Sequence, residues 1–324
     1  MFTSTPRWSI VVPLYNMRGT IGRAVESVIA QTEQDWELIV VDDGSSDGGG
    51  GVVGAFDDPR VGLIQQQNAG EGAARNRGIE AARGSLIAFL DADDYWAPGH
   101  LDNLQAVVDE FPEAVLYAAA YRLVFGPDSE RVVRLRPGLP SRGLIADYFR
   151  DCVDVEVVVH PSGAATRRDS LQRVGCFPVG VYVGADLITW SRLVCLGPLA
   201  YSTEPTVYVD APPVDRARRH RVVRRPQRPD YVGDALARLA EENGQLSASI
   251  DRYRAWWLRI RALAFAELNE RRAAVRELRE AVKIDGLSRR DGMIAVLSLI
   301  PGWLRLRLLS SMRQRRRRQA GRKT

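Results

Sequence analysis

Ser85-Leu86-Ile87-Ala88-Phe89-Leu90-Asp91-Ala92-Asp93-Asp94 is an apolar run that ends abruptly in three acids. The run sets the backbone as a strand, so the acids fall at a strand end. Two carboxylates two residues apart in that place can divide their work. One can hold a divalent cation while the other reaches a neighbouring hydroxyl. Hard cations such as Mg²⁺ use one or two carboxylates together with substrate phosphates. An acidic turn also explains a bare Asp-x-Asp, because Asp is favoured in turns. The strand in front tips the reading towards chemistry.

The same rhythm extends outward. Residues 9–13 are a short Ile/Val run. Ile21, Ala24, Val25, Val28 and Ile29 then fall on one face of a helix. Residues 37–41 and 61–65 are further strand signals, and 71–82 suit a helix. Downstream, Pro98 suits the first turn of a helix whose buried face is Leu101, Leu104, Val107 and Val108. Alternating strands and helices predict an α/β fold with an open, mostly parallel sheet covered on both faces. Ligands bind beyond the carboxyl ends of such strands. Three strands end in chemistry-capable residues, at 13–16, 42–45 and 91–94.

The second of these is Asp42-Asp43-Gly44-Ser45-Ser46-Asp47. Asp-Gly and Ser form turns readily. The functional reading is a carboxylate that recognises imino and hydroxyl donors of a nucleoside. Pro13-Leu14-Tyr15-Asn16 adds an aromatic face and an amide, although Tyr15 could equally pack in the core.

Composition bounds the remainder. The chain has 324 residues, 45 % apolar and 26 % charged, which is globular and large enough to bury a core without staples. Cys152, Cys176 and Cys195 are odd in number and lack Cys-x-x-Cys spacing. No disulfide framework or zinc site is expected, and a reducing, cytoplasmic setting fits. The first residues show no signal-peptide pattern. Net charge is +5, but 305–324 hold nine Arg or Lys and no acid.

Three regions are expected: a catalytic domain over 1–210, a basic linker or lid over 211–230, and a helical region with an Arg-rich tail over 231–324. Arg216, Arg218, Arg219 and Arg221 could cover a diphosphate, or belong to a solvated loop. Ile250, Tyr253, Trp257, Ile260, Leu263 and Leu268 form one helical pattern, and Ala274, Val275, Leu278, Ala281 and Val282 the next. They resemble one tetratricopeptide-like hairpin, whereas a solenoid needs about three repeats. Residues 292–304 are apolar but shorter than the roughly twenty residues of a membrane-spanning helix. Followed by the arginines of 313–318, they could anchor reversibly to an anionic membrane surface, or pack on the catalytic domain. No nucleic-acid motif accompanies the tail, so no nucleic acid is expected.

Four blocks together carry a resemblance. Ile10-Val11-Val12-Pro13-Leu14-Tyr15-Asn16, Val40-Val41-Asp42-Asp43-Gly44-Ser45, Asn68-Ala69-Gly70 with Ala74-Arg75-Asn76-Arg77-Gly78, and Phe89-Leu90-Asp91-Ala92-Asp93-Asp94 resemble a family 2 glycosyltransferase, over roughly residues 6–210. The resemblance implies a GT-A fold, a nucleotide-diphosphate sugar donor, a divalent metal (Mn²⁺ or Mg²⁺) and inversion at the anomeric carbon. By position, Pro13, Tyr15 and Asn16 would frame the nucleoside, and Asp42 would bind the base with Asp43 beside it. Arg75 would lie near the base or diphosphate. Asp91 would face the ribose and metal, Asp93 would ligate the metal, and Ala92 between them joins the donor-binding set.

The family's base follows a Gly-Gly-Phe, gap, Glu-Asp-x-Asp-x-x-x-Arg pattern. Here Gly175-Cys176-Phe177 precedes Gly184-Ala185-Asp186-Leu187-Ile188-Thr189-Trp190-Ser191-Arg192. Trp190 and Arg192 fix the register and put Asp186 at the base position. Cys176, Ala185 and Ile188 depart from the pattern. A helix cap is the plainer role for Asp186. His160 could touch the acceptor, His220 could supply a third metal ligand, and His100 is expected on a helix surface. The implied activity is metal-assisted transfer, from a UDP-sugar in the first instance, to a hydroxyl of a glycan or lipid-linked glycan. A sugar-phosphate nucleotidyltransferase is the enzyme rival, but 13–20 contain only Gly19 and no Gly-rich phosphate loop. A non-catalytic scaffold that docks through 231–285 is the rival of another class.

Overall fold

The computed structural model describes residues 5–126, 129–211 and 224–299. Trp8–Leu14 (β1), Trp36–Asp42 (β2), Val61–Gln65 (β3) and Leu86–Phe89 (β4) run parallel in the order β3-β2-β1-β4. Every residue of β2 and β4 is buried, as expected of strands covered on both faces, while the edge strand β3 is half-buried. Arg18–Ile29 (α1), Gly49–Val53 (α2) and Glu71–Ala81 (α3) supply the crossovers. Ile21, Ala24, Val25 and Val28 form the buried face of α1. Gly78 lets α3 lie tightly on β1, because a Cβ there would collide with the Val11 side chain.

Beyond β4 the sheet becomes mixed. Tyr95–Trp96 (β5), His100–Glu110 (α4), Leu116–Gly126 (β6), Ser129–Val132 (β7), Arg142–Ile145 (β8) and Tyr148–Asp154 (α5) come next. After a 3-10 turn at Pro161–Gly163 follow Ala164–Arg167 (β9), Arg168–Arg173 (α6), Ala185–Val194 (α7) and Leu199–Asp210 (β10). β9 inserts antiparallel between β4 and β6, and the order continues β6-β10-β5 to complete a ten-stranded sheet. Pro98 stands in the turn before α4 instead of in its first turn.

The surface placement expected for His100 is corrected by the structure. His100 opens α4 but is wholly buried: its Nδ1 lies 2.8 Å from Thr206 Oγ1, and its ring lies 4.3 Å from that of Trp96. Burial pushes its pKa down to about 3, so the ring is neutral. Trp96 precedes it by four residues in β5, but Thr206 comes from β10, 106 residues on, so local helix periodicity gave no sign of that partner.

Four helices follow: Tyr231–Glu242 (α8), Ser247–Glu267 (α9), Arg271–Asp285 (α10) and Arg289–Leu299 (α11). Val232, Leu236, Ile250, Tyr253 and Trp257 belong to the same apolar core as the sheet. Ile260, expected on a buried face, is 41 % exposed and lines a cleft. α9 and α10 pack as a hairpin, turned at Asn269 with φ +64°. Arg261 of α9 bonds Glu277 of α10 at 3.0 Å, and Arg259 bonds Asp285 at 2.7 Å and Asp291 at 2.8 Å. The linker residues Arg216, Arg218, Arg219, His220 and Arg221 lie outside the described residues, as does the tail from 300 onward. Among the described residues no helix is long and apolar enough to cross a membrane.

Candidate active site

The pairing register sets Leu14 beside Asp42 and Val11 beside Phe89, so β1, β2 and β4 open at one edge of the sheet. The loops leaving that edge are tied together. Asn16, at φ +53°, accepts the Ser46 N–H with its side-chain oxygen at 2.9 Å and donates its own N–H to Ser45 Oγ at 3.0 Å. Asp42 is buried and accepts the Ser45 N–H at 2.9 Å. Asp43, also buried, accepts Gln66 Nε2 at 2.7 Å, the Ala69 N–H at 2.9 Å and the Gly70 N–H at 2.8 Å. Asp43 therefore organises the loop into α3. Tyr15 stands 51 % exposed, as a ligand platform would and a core residue would not. Pro13 lies half-buried in β1, beside Val41 of β2.

Arg75 of α3 is buried, and its Nη2 lies 2.7 Å from Asp91 Oδ1 and 2.5 Å from Glu71 Oε1. Its guanidinium also sits 5.2 Å from the centre of the Phe177 ring. Asp91 keeps a quarter of its side chain open to the cleft, and its N–H donates to Ser162 Oγ at 3.1 Å. Ala92 is buried in the turn that follows. The Asp93 carbonyl accepts Arg23 Nη2 at 2.6 Å. Burial, and then the charge of Asp91, push the Asp93 carboxyl up from its ordinary value. Asp94 is buried, bonds the Ser162 hydroxyl and accepts the Asp210 N–H at 2.9 Å. Burial and then Asp91 push its carboxyl up to about 8.

His160 comes from the segment before the 3-10 turn. Its Nδ1 lies 3.6 Å from Asp94 Oδ2 and accepts the Ser162 N–H at 3.3 Å. Burial pushes its pKa down, so a neutral nitrogen is available. Single donor atoms of Asp91, Asp94 and His160 all lie within 4.8 Å of one another. These residues suit a divalent cation: oxygen and neutral imidazole donors converge where the Asp91 charge helps to raise the Asp94 carboxyl, a repulsion that bound positive charge would relieve. Asp93 stands outside this three-residue group.

Asp186 lies in the first turn of α7, after Gly184 at φ +86°. Gly184 holds the cap position, and Asp186, two residues further on, takes a hydrogen bond from the Leu187 N–H. Burial pushes the Asp186 carboxyl up, Arg75 pulls it down, and Glu71 and Asp91 push it up further. Asp186, Asp91, Glu71 and His160 line one cleft of about 510 Å³. Its far wall is apolar and comes from the 180–184 loop and α9, with Tyr182, Trp256 and Ile260. Gln227 fastens that loop, accepting the Tyr182 N–H at 3.1 Å and donating to the Gly180 carbonyl at 2.6 Å.

Sequence reasoning did not single out Glu71, Ser162, Arg23 or Asp210. Glu71 was findable, since it precedes Arg75 by four residues on a helix. Ser162 and Asp210 had no local signal, because their roles arise from strands distant in sequence.

The family model described as Glycosyl transferase family 2 matches residues 9–175. Over 95 residues the chain is 43 % identical to WfgD of Escherichia coli, a UDP-Glc:alpha-D-GlcNAc-diphosphoundecaprenol beta-1,3-glucosyltransferase, covering 29 % of this chain and 38 % of that protein. The structure of S. aureus TarS with UDP-GlcNAc has a TM-score of 0.62 at 19 % identity, over 89 % of this chain and 83 % of that one. The mannosyltransferase PcManGT from Pyrobaculum calidifontis, with GDP-Man and Mn²⁺, has a TM-score of 0.57 at 21 % identity, over 96 % and 84 %. The chain spans less than two thirds of the length of the curated relatives it matches. On a match over more than half its length, joined to this sheet and its flanking helices, the chain belongs to glycosyl transferase family 2 and has the GT-A fold.

Proposed function

We propose that the protein is an inverting glycosyltransferase that moves a sugar from a nucleotide-diphosphate donor, a UDP-sugar, to a hydroxyl of a glycan or lipid-linked glycan. The observation that carries this reading is the meeting of Asp91 and Asp186 in one cleft, both within the electrostatic reach of Arg75. In this reading Pro13, Tyr15, Asn16 and Asp42 frame the nucleoside, with Asp43 holding the neighbouring loop. Asp91, Asp93 and Arg75 face the diphosphate.

Asp186 takes the acceptor proton as the acceptor oxygen attacks the anomeric carbon from the face opposite the leaving group. The glycosidic bond to phosphate breaks in the same displacement, and its electron pair leaves on the nucleotide diphosphate. A carboxyl pushed up by burial is a better proton acceptor than one in water, while the Arg75 charge favours its ionised form. A divalent cation held by Asp91 and Asp93, with Asp94 and His160 alongside, would neutralise charge on the departing diphosphate. Support comes from the Mn²⁺ of PcManGT and from the UDP-GlcNAc of TarS. The diphosphoundecaprenol acceptor named for WfgD, together with the apolar cleft wall, supports a lipid-linked acceptor.

Donor turnover is the test. Purified protein is offered UDP-, GDP- and dTDP-sugars with Mn²⁺, and release of the nucleotide diphosphate is followed with and without mixed glycan acceptors. One donor consumed by the wild type and spared by Asp186→Asn supports the proposal. Release from none of them returns weight to the scaffold reading.

A further inference from the structure

The outer face of α10 is strongly cationic, and the reason lies in how its acids are spent. Glu277 turns inward and is buried against Arg261, and Asp285 pairs with Arg259. Glu280 is taken by Lys283 at 2.7 Å. Arg271, Arg272, Arg276 and Arg279 remain exposed with no ion pair to any described residue. Residues 272, 276, 279 and 283 follow helical spacing and form one stripe. Val275 lies half-buried among them in a shallow groove of about 600 Å³. Two residues past the end of that helix, Leu287 is 85 % exposed.

We infer that the α10 stripe is a docking surface for an anionic lipid bilayer, with Arg272, Arg276, Arg279 and Lys283 on headgroup phosphates and Leu287 dipping into the interface. Charge complementarity and an apolar tip are the two components of interfacial binding. Guanidinium forks suit phosphate oxygens. Single-stranded nucleic acid is less well served, because the groove offers no aromatic ring for a base to stack on. A surface carrying the protein's own Arg-rich tail is excluded by like charge. One helix links the stripe to the cleft: Arg261 of α9 lines the cleft and bonds Glu277 of α10. Docking here would bring the cleft close to acceptors held in the same bilayer.

Flotation of the full chain with vesicles tests this. The vesicles are phosphatidylcholine alone or mixed with phosphatidylglycerol, at low and high salt. The wild type should float with the anionic vesicles only, and salt should release it. The quadruple variant Arg272→Glu, Arg276→Glu, Arg279→Glu, Lys283→Glu, with its tail intact, should lose more than about tenfold in partitioning. The matching Arg→Lys variant, which keeps the charge, should bind as the wild type does. Circular dichroism and donor turnover should be unchanged in both, which separates lost docking from lost folding. Wild-type flotation by the charge-reversed protein, or no wild-type flotation, would overturn the inference. Tighter wild-type binding to duplex DNA than to the anionic vesicles would overturn it too.

Discussion

Arg75 Nη2 and Asp91 Oδ1 lie 2.7 Å apart, joining the second turn of α3 to the acidic end of β4. Arg75 is buried, Asp91 is partly open to the cleft, and Asp186 feels the same guanidinium. One buried cation thus sits among the carboxylates that the proposed function assigns to donor and acceptor. Arg75→Met should cost about 1–3 kcal/mol in urea unfolding, discounted for the exposed Asp91 and Glu71 carboxylates. Donor turnover should fall more than about tenfold. Arg75→Lys should recover stability better than turnover, because an ammonium lacks the fork that reaches two carboxylates.

Asp186→Asn removes the proton acceptor with little change in shape. Turnover should fall by about 10²–10⁴ while donor affinity, read by calorimetry, stays close to wild type. The wild-type rate should also fall on acidification, because the proposed base acts as the ionised carboxylate. With its pKa raised above 3.8, the acid limb of kcat/KM should lie above the ordinary aspartate range.

Asp94 gives a stability prediction with a definite sign. Its folded pKa is raised to about 8 from 3.8, so between those values the folded chain holds a proton that the unfolded chain has lost. Stability should therefore decline as pH rises through that window. Asp94→Asn can still accept the Asp210 N–H and can donate to Ser162, so it lacks this decline. In chelator-treated protein the variant should gain on wild type as pH approaches 8, measured by urea midpoints.

The apolar wall should set acceptor use. Ile260→Asp places a charge beside Trp256 in the cleft, where an acceptor's apolar part would lie. The acceptor KM should rise about tenfold, with the donor KM unchanged. Equal changes in both would move Ile260 out of the acceptor side.

The parallel half of the fold was legible because buried strands and amphipathic crossovers write their periods into sequence. The Ile21–Val28 face and the wholly buried β2, with its Leu38–Val41 run, are examples. The mixed half was less so: β5 and β9 are two and four residues long and pair antiparallel with distant strands. His100 was misplaced for a related reason, since it packs against Thr206 of the distant β10.

Cys176 shows a departure from the family pattern that the backbone explains in part. It sits at φ +55°, where a glycine costs nothing and an L side chain costs about 1 kcal/mol. The structure keeps Phe177 in place through Asn76, which bonds its N–H at 2.9 Å and its carbonyl at 2.8 Å. The acid group at 91–94 was readable as a cluster, but its division of labour was not. That Asp94 turns inward to Ser162 while Asp91 faces the cleft follows from the 3-10 turn at Pro161–Gly163 and from β10, which no local motif encodes.

Calorimetric titration of UDP, GDP, dTDP and CDP, each with and without Mn²⁺, tests the central claim that these carboxylates bind a nucleotide diphosphate through a divalent cation. Asp93→Ala is the companion protein, checked for folding by circular dichroism. The account predicts that one nucleotide, UDP, binds tightly with the metal, weakly without it, and weakly to Asp93→Ala in either condition. Binding of no nucleotide by the folded wild type, or equal binding with and without the metal, would contradict it.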